Sequence, residues 1–181
     1  MKLNNINHKI KEKSPELIES LKYKEKIKVL FVCLGNICRS PAAEGVMQSL
    51  IDDAGLQGVF EVDSAGTYAG HQGELPDNRM RIHARRRGYE LTHRSRPVKE
   101  SDFERFDVIV AMDDSNYAKL RRLAPTPEEE KKIVRMADYC RHPQGYDYVP
   151  DPYYEGAEGF ELVLDMLEDA CAGLLESLTG H

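Results

Sequence analysis

The sequence has little of what marks membrane-spanning, secreted or nucleic-acid-binding proteins. None of its apolar runs approaches the length of a membrane span, and its N-terminus is polar and lysine-bearing, without the apolar core of a secretory signal. Its four cysteines give no disulfide framework, so we expect a reducing, cytoplasmic environment. A formal net charge of −6 argues against nucleic acid as the main partner. We therefore expect neither a membrane nor a nucleic acid as partner.

The chain has the length and composition of one soluble α/β domain. It has 181 residues, of which 41% are apolar and 31% charged. We predict that residues 1–26, rich in Lys, Glu and Asn, form a partly disordered N-terminal extension, in which Ser14 and Pro15 start a short helix. The folded domain is then expected to span residues 27–181.

Charge is distributed unevenly along the chain. Between Arg79 and Lys99 there are eight Lys or Arg and one acidic residue, whereas from Asp151 to the end there are eight Asp or Glu and no Lys or Arg. One interpretation is that both are solvated helix faces. The other is that the basic stretch attracts anionic substrates.

Hydrophobic periodicity predicts strands that alternate with helices. The predicted strands are 27–32, 60–65, 108–111 and 133–136. The predicted helices start at a Ser40 cap with Pro41 in the first helical position, at Asp77 with a stop at Gly88, at Asp113 with a break at Pro125, and after a loop over 144–152. The last helix carries a clean apolar stripe, in which Cys171 is a packing residue. This alternation predicts a three-layer domain with a four-stranded parallel sheet flanked by helices.

The segment from Cys33 to Pro41, with the sequence CLGNICRSP, lies between the first strand and the first helix. In a strand–loop–helix of this kind, backbone N–H groups and the positive helix end converge on one point, which makes a phosphate-binding loop. Arg39 adds a planar fork for two phosphate oxygens. Cys33 is expected to lie next to these positive groups, which lower the pKa of a thiol and favour the nucleophilic thiolate. A nucleophile beneath a phosphate is the chemistry of a phosphatase.

A cysteine phosphatase also needs an acid for its leaving group, and Asp151 is the best candidate. It precedes Pro152, which holds it extended, and it stands before the aromatic pair Tyr153 and Tyr154. Apolar rings beside a carboxyl keep more of it protonated. The alternative is that the Asp-Pro pair only marks a loop and a helix entry.

Four runs in this order together resemble the low-molecular-weight protein tyrosine phosphatases. They are the loop CLGNICRSP from Cys33, the run DSAGT from Asp63, the run MDDSN from Met112 and the run DPYY from Asp151. The resemblance covers roughly residues 28–178. It implies a reaction through a phosphocysteine without metal or organic cofactor.

The resemblance also implies residue roles at the matching positions. Cys33 is then the nucleophile, Arg39 binds the phosphoryl group, and Asp151 is general acid and later general base. The loop's backbone at Leu34, Gly35, Asn36, Ile37 and Cys38 is expected to bind the phosphate.

The remaining positions are expected to support or border that site. Ser40 would donate a hydrogen bond to the Cys33 thiolate. Asn36 would hold the loop's shape through Ser64 and His93, although by the residues alone His93 is a surface histidine. Tyr153 and Tyr154 would form one wall of the cleft.

Two positions within the resemblance are open to more than one interpretation. Cys38 either traps an oxidised Cys33 as a disulfide or only fills space under the loop. The second cleft wall usually carries an aromatic residue a few positions after the Asp-Ser-Ala-Gly run, but here the sequence is Tyr68-Ala69-Gly70-His71. Tyr68 or His71 is the candidate substitute.

The resemblance alone implies the partners of the protein. They are phosphotyrosine-bearing protein substrates, with a tyrosine kinase as a further possible partner.

Four other functions are compatible with the same fold. Arsenate reductases need a further thiol pair, and the remaining thiols are Cys140 and Cys171, far apart in sequence. Protein arginine phosphatases carry Thr where Ile37 stands, so Ile37 favours phosphotyrosine. A silent phosphopeptide-binding module would require loss of the predicted catalytic residues, which are all present. A small-phosphoester acid phosphatase remains a further alternative.

Overall fold

The computed structural model describes residues 15–180, which form four strands and seven α-helices. In chain order the elements are α1 (Pro15–Leu21), β1 (Ile27–Cys33), α2 (Arg39–Asp53), β2 (Phe60–Gly66), α3 (Asn78–Arg86), α4 (Glu100–Arg105), β3 (Val108–Ala111), α5 (Asp114–Leu123), α6 (Pro127–Glu130), β4 (Ile133–Arg135), a 3₁₀ helix (Met136–Tyr139) and α7 (Ala157–Thr179).

The four strands form one parallel sheet in the order β2-β1-β3-β4. One face packs against α2 and α7 around the larger apolar cluster, which includes Val29, Phe31 and Leu164. The other face buries a smaller cluster around Leu30, Phe103 and other residues. The prediction of a parallel sheet between helical layers is confirmed. Because β1 is central, its carboxyl end lies at the middle of the sheet edge, where ligands of such sheets bind.

Most predicted elements are present with small shifts in their ends. Asp77 caps α3 by accepting from the N–H groups of Arg79 and Met80, and Asp113 caps α5 in the same way. Gly88, in the left-handed region at φ 91°, follows the end of α3. Cys171 is fully buried on α7. These helix ends are therefore confirmed.

The predicted start of α2 is wrong. The helix begins at Arg39 with Cys38 as its N-cap, and Cys38 makes no side-chain capping bond. Ser40 and Pro41 are the second and third helical residues. Proline is tolerated there because the N–H groups of the first turn have no intrahelical partner.

Three other differences concern short elements. The fourth strand ends at Arg135 rather than 136, because Met136 starts the 3₁₀ helix. Helices α4 and α6 were not predicted, and both are of six residues or fewer. Such short helices carry too few residues to show a hydrophobic period.

The described part of the predicted N-terminal extension is the segment from Pro15 onward. Its helix α1 buries Ile18 and Leu21 against the main cluster and contacts α7. The prediction of disorder for the first residues falls on 1–14, which lie outside the described residues. The division of the chain at residue 26 stays a prediction.

The basic and acidic stretches contact each other. Arg87, after α3, forms ion pairs with Glu161, Asp165 and Glu168 on α7. His83 on α3 lies 2.6 Å from a Glu161 carboxylate oxygen. Some of the residues in the basic and acidic stretches therefore form ion pairs that hold α3 against α7. Among the described residues, no helix combines the length and the apolar character needed to cross a bilayer.

Candidate active site

The loop over residues 34–38 connects the carboxyl end of β1 to the start of α2. Its carbonyl groups are bound from outside: Leu34 O accepts from Tyr68 N (2.9 Å), and Ile37 O accepts from Asp77 N (2.7 Å). Gly35 O accepts from the Ser95 hydroxyl (2.9 Å). Within the described residues, none of the N–H groups of 34–38 donates a hydrogen bond. The loop therefore presents a set of unused donors, which is the pattern of an anion-binding nest.

Asn36 fixes the shape of this loop. It is fully buried and has a φ of 55°, in the left-handed region that Asn tolerates better than most residues. Its Nδ2 donates to the hydroxyls of Ser40 (2.8 Å) and Ser64 (3.0 Å). Its Oδ1 accepts from the backbone N–H of Arg96 and lies 3.0 Å from Nε2 of His93. Since Oδ1 can only accept, the His93 Nε2 carries a proton.

The Cys33 thiol lies at the base of the loop. Its Sγ is 3.0 Å from the Ser40 hydroxyl oxygen. That oxygen accepts from Asn36 Nδ2, and its own proton has two acceptors within reach, Cys33 Sγ and, at 3.4 Å, Ala65 O. The predicted contact between Ser40 and Cys33 is present, and Sγ is the nearer of the two acceptors.

The Arg39 guanidinium is buried and held by three groups. Its Nη1 donates to the Asp113 carboxylate at 2.6 Å and to Val149 O at 3.0 Å. Its Nη2 lies 3.5 Å from the Asp151 carboxylate. Burial by itself lowers the pKa of Arg39, but its electrostatic interaction with the nearby Cys33 and the hydrogen bond to the Asp113 carboxylate raise it above its ordinary value. The cation is therefore permanent.

A cleft of about 290 Å³ opens above Cys33. The cleft is lined by Cys33, Leu34, Gly35, Ile37, Cys38, Arg39, Tyr68, His71, Asp151, Tyr153 and Tyr154. Two residues of the predicted site, Asn36 and Ser40, are fully buried and do not line it. The Tyr153 and Tyr154 rings pack edge to face with centroids 4.9 Å apart, and Tyr154 is 92% exposed. The structure thus brings the candidate nucleophile, cation and acid to one cleft.

Packing explains the residues at two loop positions, Gly35 and Cys38. Gly35 does not adopt a positive φ. A Cβ at Gly35 would lie 3.0 Å from the His71 ring, so lack of a side chain matters here for packing. Cys38 is a buried free thiol, and burial raises its pKa. That burial accounts for Cys38 as a packed side chain.

His93 belongs to a charged cluster behind the loop. Its Nδ1 lies 3.2 Å from Glu44 and 3.4 Å from Asp63, and Asp63 also pairs with Arg96. Burial raises the pKa of Glu44 to about 7 and lowers that of His93. Glu44, Asp63 and His93 are close enough together to share a cation. Here they contact each other and support Asn36 through His93.

Sequence reasoning missed three partners of the site. Asp113 was read only as a helix start, although its position at the carboxyl end of β3, next to β1, was a signal. Glu44 lies one helical turn after Ser40, and that spacing was not used. The carbonyl of Val149 has no sequence signature at all.

A parallel α/β sheet that carries a cysteine and an arginine around a loop of free N–H groups defines the class of cysteine-dependent phosphatases. Within this class, residues 28–181 match the family model of low molecular weight phosphotyrosine protein phosphatases. The chain belongs to that family.

Known relatives agree with this assignment. A low molecular weight protein-tyrosine-phosphatase of Streptomyces coelicolor is 45% identical over 83% of this chain and 93% of its own. The phosphatase of the same type from Schizosaccharomyces pombe is 40% identical over 84% of this chain and 97% of its own. A crystal structure of a protein tyrosine phosphatase from Entamoeba histolytica, with Hepes in the active site, has a TM-score of 0.83 at 48% identity, covering 86% of this chain and 98% of that one.

Proposed function

We propose that this protein hydrolyses phosphotyrosine in protein substrates through a phosphocysteine on Cys33. The unused N–H groups of residues 34–38, in the loop that links Cys33 to the buried Arg39 cation, carry this proposal. Such preorganised donors stabilise the charge that builds on a transferring phosphoryl group. Phosphate would bind this loop and the Arg39 fork together.

In the first step the Cys33 thiolate attacks phosphorus while the bond from phosphorus to the tyrosine oxygen breaks. Asp151 gives its proton to the departing phenolate. Its carboxylate is 40% exposed at the cleft and lies 3.5 Å from Arg39. The Ser40 hydroxyl contributes a hydrogen bond to the sulfur before attack. Tyrosine leaves as a neutral phenol.

In the second step water attacks phosphorus and the phosphorus–sulfur bond breaks. Asp151, now ionised, takes the proton of that water, so that phosphate leaves and the thiolate returns. No redox step is needed. A nearby thiol pair of the kind an arsenate reductase requires is not supported, because Cys171 is fully buried and Cys140 contacts the Met166 carbonyl.

The experiment compares hydrolysis of p-nitrophenyl phosphate with that of phosphotyrosine, phosphoserine and phosphoarginine peptides under reducing conditions with excess EDTA. We expect preference for phosphotyrosine and complete loss of turnover in Cys33→Ser. Asp151→Asn should lower kcat by about 10²–10⁴-fold for the peptide, the usual range for general acid catalysis. The loss should be smaller for p-nitrophenyl phosphate, because its leaving group needs less protonation.

The matched controls are Cys140→Ser, away from the cleft, and Asp147→Asn, an exposed carboxylate in the loop before Asp151. Both should retain turnover. An inactive wild type would contradict the enzyme and support a phosphopeptide-binding module. Hydrolysis of small esters with no peptide turnover would support an acid phosphatase.

Phosphoarginine is the second candidate substrate, because a solved relative at 34% identity with a TM-score of 0.77, covering 83% of this chain and 96% of that one, is a Drosophila arginine phosphatase. In this chain the largely buried Ile37 side chain lines the cleft. Ile37 crowds the approach of water to a phosphoarginine and packs against an aryl ring. In the same assay Ile37→Thr should shift preference towards phosphoarginine, and an unchanged preference would contradict this role of Ile37.

The cellular setting is part of the proposal. A thiolate enzyme requires a reducing compartment, which supports the cytoplasm. Its partners would be phosphotyrosine-bearing proteins, and a tyrosine kinase would supply them. Reversible oxidation, with Cys38 as the partner of Cys33, stays a prediction.

A further inference from the structure

Three side chains behind the loop bring possible metal-ligand atoms together: those of Glu44, Asp63 and His93. Nδ1 of His93 lies 3.2 Å from Oε1 of Glu44 and 3.4 Å from Oδ1 of Asp63, and the ligand atoms of all three residues lie within 4.8 Å of one another. In a tetrahedral zinc site with bonds of about 2.0–2.1 Å, neighbouring ligand atoms are about 3.3–3.4 Å apart. The two distances from His93 therefore match the spacing around a small divalent ion.

The His93 ring is oriented as a metal ligand needs. Its Nε2 carries the proton that it donates to Asn36 Oδ1, as described above. In the neutral ring the lone pair is then on Nδ1, the atom that faces the two carboxylates. Histidines that bind metals usually have their other ring nitrogen fixed by such a hydrogen bond. Asn36 therefore holds the ring with Nδ1 towards the cluster.

Glu44 contributes an oxygen atom without a hydrogen-bond partner. Its Oε1 is buried and accepts no hydrogen bond from any residue that the structure describes. Nδ1 of the neutral His93 ring faces this oxygen and has no proton to donate. A buried carboxylate oxygen in this situation costs free energy unless a proton or a cation compensates it. A metal ion between the two atoms satisfies both lone pairs.

Arg96 brings positive charge to the cluster but does not cancel its negative charge. It donates to Oδ2 of Asp63 at 3.0 Å and to both carboxylate oxygens of Asp102. The other oxygen of Asp63, Oδ1, accepts from the Ser64 N–H at 2.8 Å and keeps a second lone pair for an ion. Because one guanidinium serves two carboxylates, the cluster with Glu44 keeps a surplus of negative charge.

A surface groove of about 360 Å³ leads to this cluster. Four of its lining residues are carboxylates: Glu44, Asp52, Asp53 and Glu90. Glu90 is paired with Arg85, but none of the described residues that line the groove is a Lys or Arg. Such a groove attracts cations. Since Glu44 and His93 both line it, an ion in the groove reaches two of the three ligands directly.

We propose that Glu44, Asp63 and His93 form a binding site for a divalent transition-metal ion, with Zn²⁺ as the best fit and water from the groove completing its coordination. One imidazole nitrogen and two carboxylate oxygens are a donor set that suits Zn²⁺, whereas Mg²⁺ and Ca²⁺ prefer oxygen ligands. The reaction proposed above uses no metal, so this ion is not a catalytic group. By holding His93, it supports the residue that fixes Asn36 and hence the shape of the loop.

The test uses Cys33→Ser as the parent protein, because the Cys33 thiolate is itself a Zn²⁺ ligand. Calorimetric titration with Zn²⁺ should give one site per chain, and Zn²⁺ should raise the Tm of the parent. Mg²⁺ should bind at least about tenfold more weakly than Zn²⁺. Titration with Co²⁺ should give a spectrum without an intense sulfur-to-metal band, because no cysteine belongs to the site.

Three further variants in this parent each remove one ligand: Glu44→Gln, Asp63→Asn and His93→Gln. We expect each to weaken Zn²⁺ binding at least about tenfold. Glu44→Gln is the decisive variant, because it keeps the size of the side chain and should leave the protein folded. Asp52→Asn is the matched control, since it removes a carboxylate of the same groove that lies outside the cluster. It should change the affinity by less than about threefold, as one screened surface charge does.

A parent protein that binds no Zn²⁺, or binding that Glu44→Gln leaves unchanged, would overturn the site and indicate adventitious binding at most. Equal losses in Glu44→Gln and Asp52→Asn would show that the charge of the groove alone attracts the ion, which also contradicts a coordinated site. None of these results affects the proposed phosphatase, because its turnover is measured in excess EDTA.

Discussion

Asn36 combines two tasks that usually fall to different side chains. Its backbone occupies the left-handed region, and its amide joins α2, β2 and the segment that carries His93. A glycine would meet the first requirement and not the second. Substitutions at this position therefore separate backbone strain from lost hydrogen bonds.

We expect Asn36→Ala to lower kcat at least tenfold and to reduce the free energy of unfolding. Holding alanine in the left-handed backbone region costs about 1–2 kcal/mol of folding stability. Each buried partner that loses its hydrogen bond to Asn36 costs about a further 1–3 kcal/mol. Asn36→Gly removes only the backbone cost. Chemical denaturation and p-nitrophenyl phosphate kinetics on both variants measure the two parts. Equal stability of the two variants would show that backbone strain is unimportant at 36.

Helix α7 and the 3₁₀ helix after β4 approach each other closely at one glycine. A Cβ at Gly173 would lie 2.1 Å from Tyr139 O, a backbone atom that cannot move aside by a rotamer change. This approach lets α7 lie against the 3₁₀ helix while its apolar stripe covers the sheet. Glycine within a helix is costly, so the contact explains its presence.

We predict that Gly173→Ala destabilises the protein. Helix propensity alone would stabilise it by about 1 kcal/mol, whereas forcing two backbones apart costs about 1–3 kcal/mol or more. Thermal unfolding gives the sign directly. Gly58→Ala serves as the control, because Gly58 lies outside the described helices and a Cβ there meets no atom within 4 Å. A higher Tm for Gly173→Ala would contradict the contact.

The fold as a whole should carry a pH dependence from Glu44. Its pKa is raised by burial from 4.5 to about 7, so the folded state holds the proton more tightly than the unfolded chain does. Its contribution to stability is then complete below pH 4.5 and is lost as pH rises towards 7. The contribution is at most about 3 kcal/mol.

Glu44→Gln should remove this dependence. Between pH 4.5 and 7 the wild type should lose stability relative to the variant as pH rises. Denaturant unfolding at several pH values measures that difference, and comparing the two proteins cancels most of what their other groups contribute. A constant difference across this range would show that Glu44 stays ionised in the folded protein.

The sequence predicted the sheet and the long helices because their signals are local. Asp77, Asp113 and Gly88 act within one helical turn, and the stripe of α7 repeats over 23 residues. Helix α4 was not predicted because its N-cap is Lys99 rather than Ser, Thr, Asp or Asn. Asp102, in the first turn, fixes this helix start instead, since its carboxylate accepts from the Lys99 N–H.

The same holds for the candidate site. Cys33 and Arg39 flank one short loop, so the sequence alone places these two candidate residues next to each other. Arg39 also donates hydrogen bonds to the Asp113 carboxylate and to Val149 O. These partners are far from Arg39 in sequence and come close to it only when the chain folds, so the sequence does not show them.

The unused N–H groups of residues 34–38 lead us to expect that the released product competes with the next substrate. Inorganic phosphate offers the loop the same oxygens that a phosphoester does, so we expect turnover to slow as product accumulates. By mass action, any tetrahedral oxyanion that occupies the loop also holds the folded state against unfolding. We therefore expect added inorganic phosphate to slow hydrolysis and to raise the unfolding temperature of this protein together.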